Sequence, residues 1–150
     1  GRLDADTAPI TVTNFMSLVR EGFYSNNKIH RVQKNFVIQG GSDTVGSKEM
    51  ITGEFEANGR SNDISHVRGT VSMARMGDNN SYYDSASTQF FIVQKDSTFL
   101  DHYYASFGKV TKGMDIVDKI CNSIKTTDDN GVILDDDEIP IIEYIKEIEK

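Results

Sequence analysis

The chain has 150 residues, 37% hydrophobic and 26% charged, with a net charge of −7 and a pI near 4.9. That length fits one domain, 1–150, able to bury a core, and the composition excludes a disordered chain. The acidic balance argues against nucleic acid as the main partner, and no apolar run approaches the roughly 18 residues of a membrane span.

Cys121 is the single cysteine, so no intrachain disulfide can form. A reducing, cytoplasmic setting is expected, and with no signal peptide read at the start, an exported form with a removed leader is the alternative.

In chain order, the first helix is expected over 9–21. Val12, Phe15, Met16, Leu18 and Val19 form its apolar stripe, Pro9 suits the first turn, and Gly22 sits where a left-handed residue ends a helix. Strands over 28–32 and 36–39 follow, joined by Gln33-Lys34-Asn35. Alternation puts Val37 and Gln39 on one face of the second strand and Ile38 on the other. Arg31 faces away from His30 and Val32.

Residues 42–53 read as a polar loop, and Ser61-Asn62-Asp63 as a turn before His66. A strand is expected over 70–74, with Val71 and Met73 opposite Thr70, Ser72 and Ala74. Residues 76–87 are a loop of turn formers. The dense run 89–94, with its double Phe, fits a strand covered on both faces.

Phe99-Leu100 and Tyr103-Tyr104 flank a turn at Asp101-His102, and a further strand covers 106–110. The second helix spans 114–124, with Cys121 a small core residue beside Met114, Val117, Ile120 and Ile124. Asp128-Asp129-Asn130-Gly131 is a turn whose acidic residues lack calcium-loop spacing, so no metal site is expected. The tail 139–148 fits either a helix or a strand. Short strands, two helices and short turns point to an antiparallel barrel or sandwich with helices packed on it.

The common catalytic arrangements are missing. His30 lies on the presumed core side of its strand, His66 in a strand-entry turn and His102 in an exposed turn. No H-E-x-x-H, C-x-x-C or G-x-S-x-G pattern occurs, and Gly40-Gly41 lacks the partners of a phosphate loop. What remains is Arg31, Gln39 and Gln89 among many Phe, Tyr, Met and Leu residues. That set suits binding an apolar group beside a polarised amide, without covalent or proton-transfer chemistry. By residue type alone, Arg31 also reads as a solvated edge charge, Phe36, Phe91 and Leu100 as core, and the glutamines as strand-surface groups.

Five blocks then carry a resemblance. They are Ile29-His30-Arg31; Phe36-Val37-Ile38-Gln39-Gly40-Gly41; Gly69-Thr70-Val71-Ser72-Met73-Ala74; Thr88-Gln89-Phe90-Phe91-Ile92; and Phe99-Leu100-Asp101 with Phe107-Gly108-Lys109-Val110. In this order and near this spacing they resemble the signature blocks of the cyclophilins. Met73-Ala74-Arg75 is more similar to bacterial than to animal members.

The resemblance implies an eight-stranded antiparallel barrel capped by two α-helices, with the first strand and most of the second, before Leu3, absent from this chain. It implies a peptidyl-prolyl cis/trans isomerase that assists protein folding without a cofactor. Its partners would be proline-containing peptides and unfolded or partly folded proteins. The rival is a catalytically weak module of the same fold that only binds proline-containing segments.

By the same likeness Arg31 polarises the prolyl amide and Gln39 holds it in place. Phe36, Val37, Phe91, Leu100 and Tyr104 form the proline pocket, Ala74 and Arg75 offer backbone to the substrate, and Gln89 lines the groove. Val37 stands where methionine is common, which widens the pocket. Phe99 stands for the tryptophan and Tyr104 for the histidine of many animal members. A phenyl ring has no N–H to donate, so cyclosporin-type macrocycles are expected to bind weakly. The loop 77–87 is longer than usual and carries Tyr82 and Tyr83, which are expected to border the pocket for residues before the proline.

Overall fold

A computed structural model describes residues 1–77 and 80–148. Helix α1 (Pro9–Arg20) starts on proline, whose missing N–H costs nothing in the first turn. It stops at Gly22, with φ +78°. There Gly22 N–H donates to Val19 O at 3.1 Å and Phe23 N–H to Leu18 O at 3.0 Å, a Schellman ending. The residue before the helix is Ala8, which has no side-chain oxygen to cap it. Glu54 supplies one from a distant loop, its Oε1 accepting from Thr11 N–H at 2.6 Å and from Thr11 Oγ1 at 2.7 Å.

The strands are β1 (Arg2–Leu3), β2 (Asn27–Lys28), β3 (Arg31–Gln33), β4 (Val37–Gly40), β5 (Thr70–Met73), β6 (Phe90–Val93), β7 (Ser106–Lys109) and β8 (Ile141–Ile142), with α2 (Met114–Ser123) between the last two. Six form an antiparallel sheet in the order β1-β7-β5-β6-β4-β3, and β2 pairs with β8. The fold is mainly β with two helices, as expected. Among the described residues no helix is long and apolar enough to cross a membrane.

Three local expectations shift. The strand expected over 28–32 is split, because Asn27 and Lys28 pair with β8 while Arg31 to Gln33 pair with β4. The tail resolves to a two-residue strand opposite β2, with no helix through 148. Residues 80–82 of the 76–87 loop form a short 3-10 turn; residues 78 and 79 lie outside the described part.

Alternation along β6 sorts the core. Phe90 joins Val12, Phe15, Leu18 and Phe107 in the cluster under α1, while Phe91 and Val93 face the other way with Val37 and Leu100. Val32 and Ile38 pack with Val117 and Cys121 of α2. One face of the sheet therefore serves the helices, and the other is left to build a site.

Candidate functional site

A single cross-strand row carries the polar part of that second face. Arg31 pairs with Gln39, Gln39 with Phe91, and Phe91 with Ser72, across four adjacent strands. Residues directly opposite in a sheet lie within side-chain reach, so the row brings together groups from four of the five sequence blocks.

Arg31 is held on three sides. Its Nη1 donates to Gln39 Oε1 at 2.9 Å, its Nη2 to Gln33 Oε1 at 2.7 Å, and its Nε to the carbonyl of Asn130 at 2.6 Å. Gln39 is oriented in turn, its Nε2 donating to Gln89 Oε1 at 2.8 Å. None of these acceptors is a carboxylate. Burial lowers the Arg31 pKa from its ordinary value, opposed by the fields of Tyr104 and Asp128. Arginine nonetheless remains cationic in proteins.

Beside the guanidinium opens a cavity of about 670 Å³. Phe36, Val37, Phe91, Leu100 and Tyr104 supply its apolar lining, and Ala74 and Arg75 the edge contributed by the chain after β5. Arg31 and Gln39 line it as well. Nine of the eleven residues singled out from the sequence thus share one cavity. The other two sit beside it. Gln89 lies behind Gln39, and Phe99, with 71% of its surface exposed, stacks on Phe36 at 5.6 Å between ring centres.

Arg75 contributes more than backbone. Its Nε and Nη2 donate to Tyr103 O at 3.0 and 2.8 Å, and its Nη1 to Gly77 O at 2.6 Å. The guanidinium lies over Tyr104, Tyr83 and Phe55 at 4.5, 5.0 and 5.3 Å. The side chain clips the loop after Met76 to the turn that carries Tyr104.

Two further contributors escaped the sequence reading. His66 is wholly buried. Its Nδ1 lies 2.8 Å from Asp101 Oδ1 and its Nε2 2.9 Å from Ser72 Oγ, while its ring stacks on Phe91 at 5.9 Å. Burial pushes the His66 pKa down, against the pull of Asp101. Burial alone would raise Asp101, but hydrogen bonds from Ser65 Oγ, His66 N–H and the His66 ring hold it below the usual carboxylate range. The signal available was indirect: Asp101 directly follows Leu100, so whatever anchors the carboxylate also places a pocket residue. The second contributor, the Asn130 carbonyl, belongs to the backbone and leaves no mark in side-chain identity.

His30, expected on the core side of a strand, lies just before β3 and is half-buried, with Nδ1 lacking a hydrogen-bond partner. His102 is exposed and pairs with Glu56 at 2.9 Å. Among the described residues no group of three or more His, Cys, Asp or Glu could hold a metal ion. The arrangement can present a fixed cation and amide groups to a ligand seated in an apolar pocket.

Residues 2–144 match the profile of the family described as cyclophilin type peptidyl-prolyl cis-trans isomerase/CLD. The chain is 43% identical over 123 residues to peptidyl-prolyl cis-trans isomerase A of Dickeya dadantii, covering 79% of this chain and 63% of that protein. It is 48% identical over 120 residues to a peptidyl-prolyl cis-trans isomerase of Acinetobacter baylyi, covering 77% and 62%. The chain thus spans less than two thirds of the length of either relative. Among solved structures it is similar to a Cryptosporidium parvum cyclophilin type peptidyl-prolyl cis-trans isomerase crystallised in the presence of the dipeptide Ala-Pro. That likeness has a TM-score of 0.80 at 26% identity, covering 99% of this chain and 91% of the other. A cyclophilin from Hirschia baltica is similar with a TM-score of 0.67 at 29% identity, covering 78% and 61%.

Proposed function

This chain belongs to the family of cyclophilin-type peptidyl-prolyl cis-trans isomerases, and on that premise we propose that it catalyses rotation about X–Pro bonds with Arg31 as the catalytic residue. Amide resonance sets the rotation barrier, about 18–20 kcal/mol for a peptide bond. A cation directed at the prolyl nitrogen localises its lone pair, withdraws it from resonance and favours the twisted amide over either planar form. Only an interaction stronger in the twisted state raises the rate, and a guanidinium fixed before the substrate arrives avoids reorganising during the rotation.

The observation that carries this reading is the three-sided hold on Arg31 beside an apolar cavity. Three of its five N–H groups are engaged, which leaves one on each Nη for a ligand. Phe36, Val37, Phe91, Leu100 and Tyr104 receive the prolyl ring, and Gln39 holds the arginine. Substrates on this reading are proline-containing segments of peptides and of unfolded or partly folded proteins, in a reducing, cytoplasmic setting.

The test is the isomerisation rate of an X-Pro model peptide with the parent chain and with Arg31→Ala. Loss of the electrostatic contact is expected to lower kcat/KM by about 100- to 1,000-fold. Equal rates would discard the role of Arg31. Binding of the peptide without turnover by the parent would make the protein a proline-segment binding module instead.

A further inference from the structure

The acidic turn after α2, plain in the sequence, is built against the arginine. Asp128 Oδ1 accepts from Asn130 N–H and Val132 N–H, both at 2.9 Å. Gly131 N–H donates to Asp128 O at 3.0 Å, and Asp128 N–H to Val132 O at 2.9 Å. The closed turn is then fastened along the free edge of β3. Val32 N–H donates to Gly131 O at 2.8 Å, Ile133 N–H to His30 O at 3.0 Å, and Arg31 faces Val132 in an antiparallel bridge.

Such closeness requires glycine. Gly131 has φ +85°, and a Cβ there would lie 2.4 Å from Gln33 Cγ and 2.8 Å from Val32 O. A side chain would both strain the backbone and push the turn off β3. It would also push away the carbonyl of Asn130, the acceptor 2.6 Å from Arg31 Nε. Gln39 and Gln33 grip the two Nη atoms, so the Nε contact is what anchors the inner end of the group. A carbonyl does this without neutralising the positive charge, as a carboxylate would.

We propose that the turn 128–132 is a positioning element for Arg31, with Gly131 and Asp128 setting the plane of its guanidinium through the Asn130 carbonyl. The proposal rests on the isomerase reading for its consequence in rate but not for its geometry. A displacement of about 1 Å at a reacting group costs up to 100-fold in rate.

The experiment compares the parent chain with Gly131→Ala, Asp128→Ala and the conservative Asp128→Asn, measuring X-Pro isomerisation and the NMR signal of the Arg31 Nε–H group. Gly131→Ala and Asp128→Ala are expected to lower kcat by about ten-fold or more with KM little changed. In the same variants the Arg31 Nε–H signal moves upfield and exchanges faster with solvent. Asp128→Asn keeps an oxygen to close the turn and recovers most of both. If Gly131→Ala does not fold, the Asp128 pair decides. Folded variants that keep the parent rate, or lose rate with the Arg31 signal unmoved, overturn the proposal. A parent chain without turnover defeats the isomerase reading, and the Arg31 signal alone then decides whether the turn orients the side chain.

Discussion

His66 and Asp101 form a pair behind the pocket wall, with Nδ1 of the buried imidazole 2.8 Å from Oδ1 of the carboxylate. The same Oδ1 accepts from His66 N–H at 2.7 Å, and Oδ2 accepts from Ser65 Oγ at 2.6 Å. Stacking on Phe91 and the link through Asp101 to Leu100 tie this pair to two residues of the cavity.

The first prediction concerns pH. Both groups have folded pKa values below their ordinary ones, His66 through burial and Asp101 through its hydrogen bonds, which outweigh burial. A depressed folded pKa means that the unfolded chain binds protons first, so each group's stabilisation is complete above its unfolded pKa and lost as pH falls through its folded one. Unfolding by urea should therefore show stability falling from about pH 6.5 through His66, and again below about pH 4 through Asp101. His66→Gln should blunt the upper step and lower stability at pH 7 by about 2–3 kcal/mol. An unchanged slope between pH 7 and 5 would refute the assignment.

The second concerns Glu54, whose Oε1 serves the α1 N-terminus in place of a local cap. Removing it leaves the Thr11 N–H and hydroxyl buried without an acceptor. Glu54→Ala should destabilise the fold by about 1–3 kcal/mol, read as a lower urea midpoint. Ala8→Ser, by contrast, should not compensate, because Ala8 is completely buried and an added hydroxyl there would be taken out of water.

The third concerns macrocycles. Phe99 lies on Phe36 at the rim with its face open, and a phenyl ring cannot donate a hydrogen bond. Calorimetric titration with cyclosporin is expected to give a dissociation constant above about 1 μM. Submicromolar binding would contradict it.

The fourth concerns the long loop. A Cβ on Gly77, which lines the cavity, would meet the Tyr82 ring at 2.7 Å, so that ring packs directly behind the cavity edge. Tyr83 lies under the Arg75 guanidinium and meets Phe55 edge-to-face. Replacing both tyrosines by alanine should change relative kcat/KM by about three-fold or more among peptides that differ before the proline. Loss of the Arg75 stacking should also cost about 0.5–1 kcal/mol of stability. An unchanged peptide profile would remove the loop from substrate choice.

Local pattern and composition determined much of this protein. The grouping of Arg31, Gln39, Phe36, Phe91 and Leu100 is implied only by the resemblance that five blocks in order carry. The α1 stripe, its glycine ending and the faces of β4 and β6 follow from alternation and helical period. Those features are written in side-chain type at short range, where the backbone's few conformations leave little choice. The tertiary structure alone decided the rest. It split the strand at Ile29, because two different partners bid for its ends; it capped α1 with a carboxylate from 43 residues away. It buried His66 against Asp101, and brought a backbone carbonyl of Asn130 to Arg31. Each of these depends on how distant segments approach, and a hydrogen bond from backbone, or to a side chain far along the chain, has no period from which to read it.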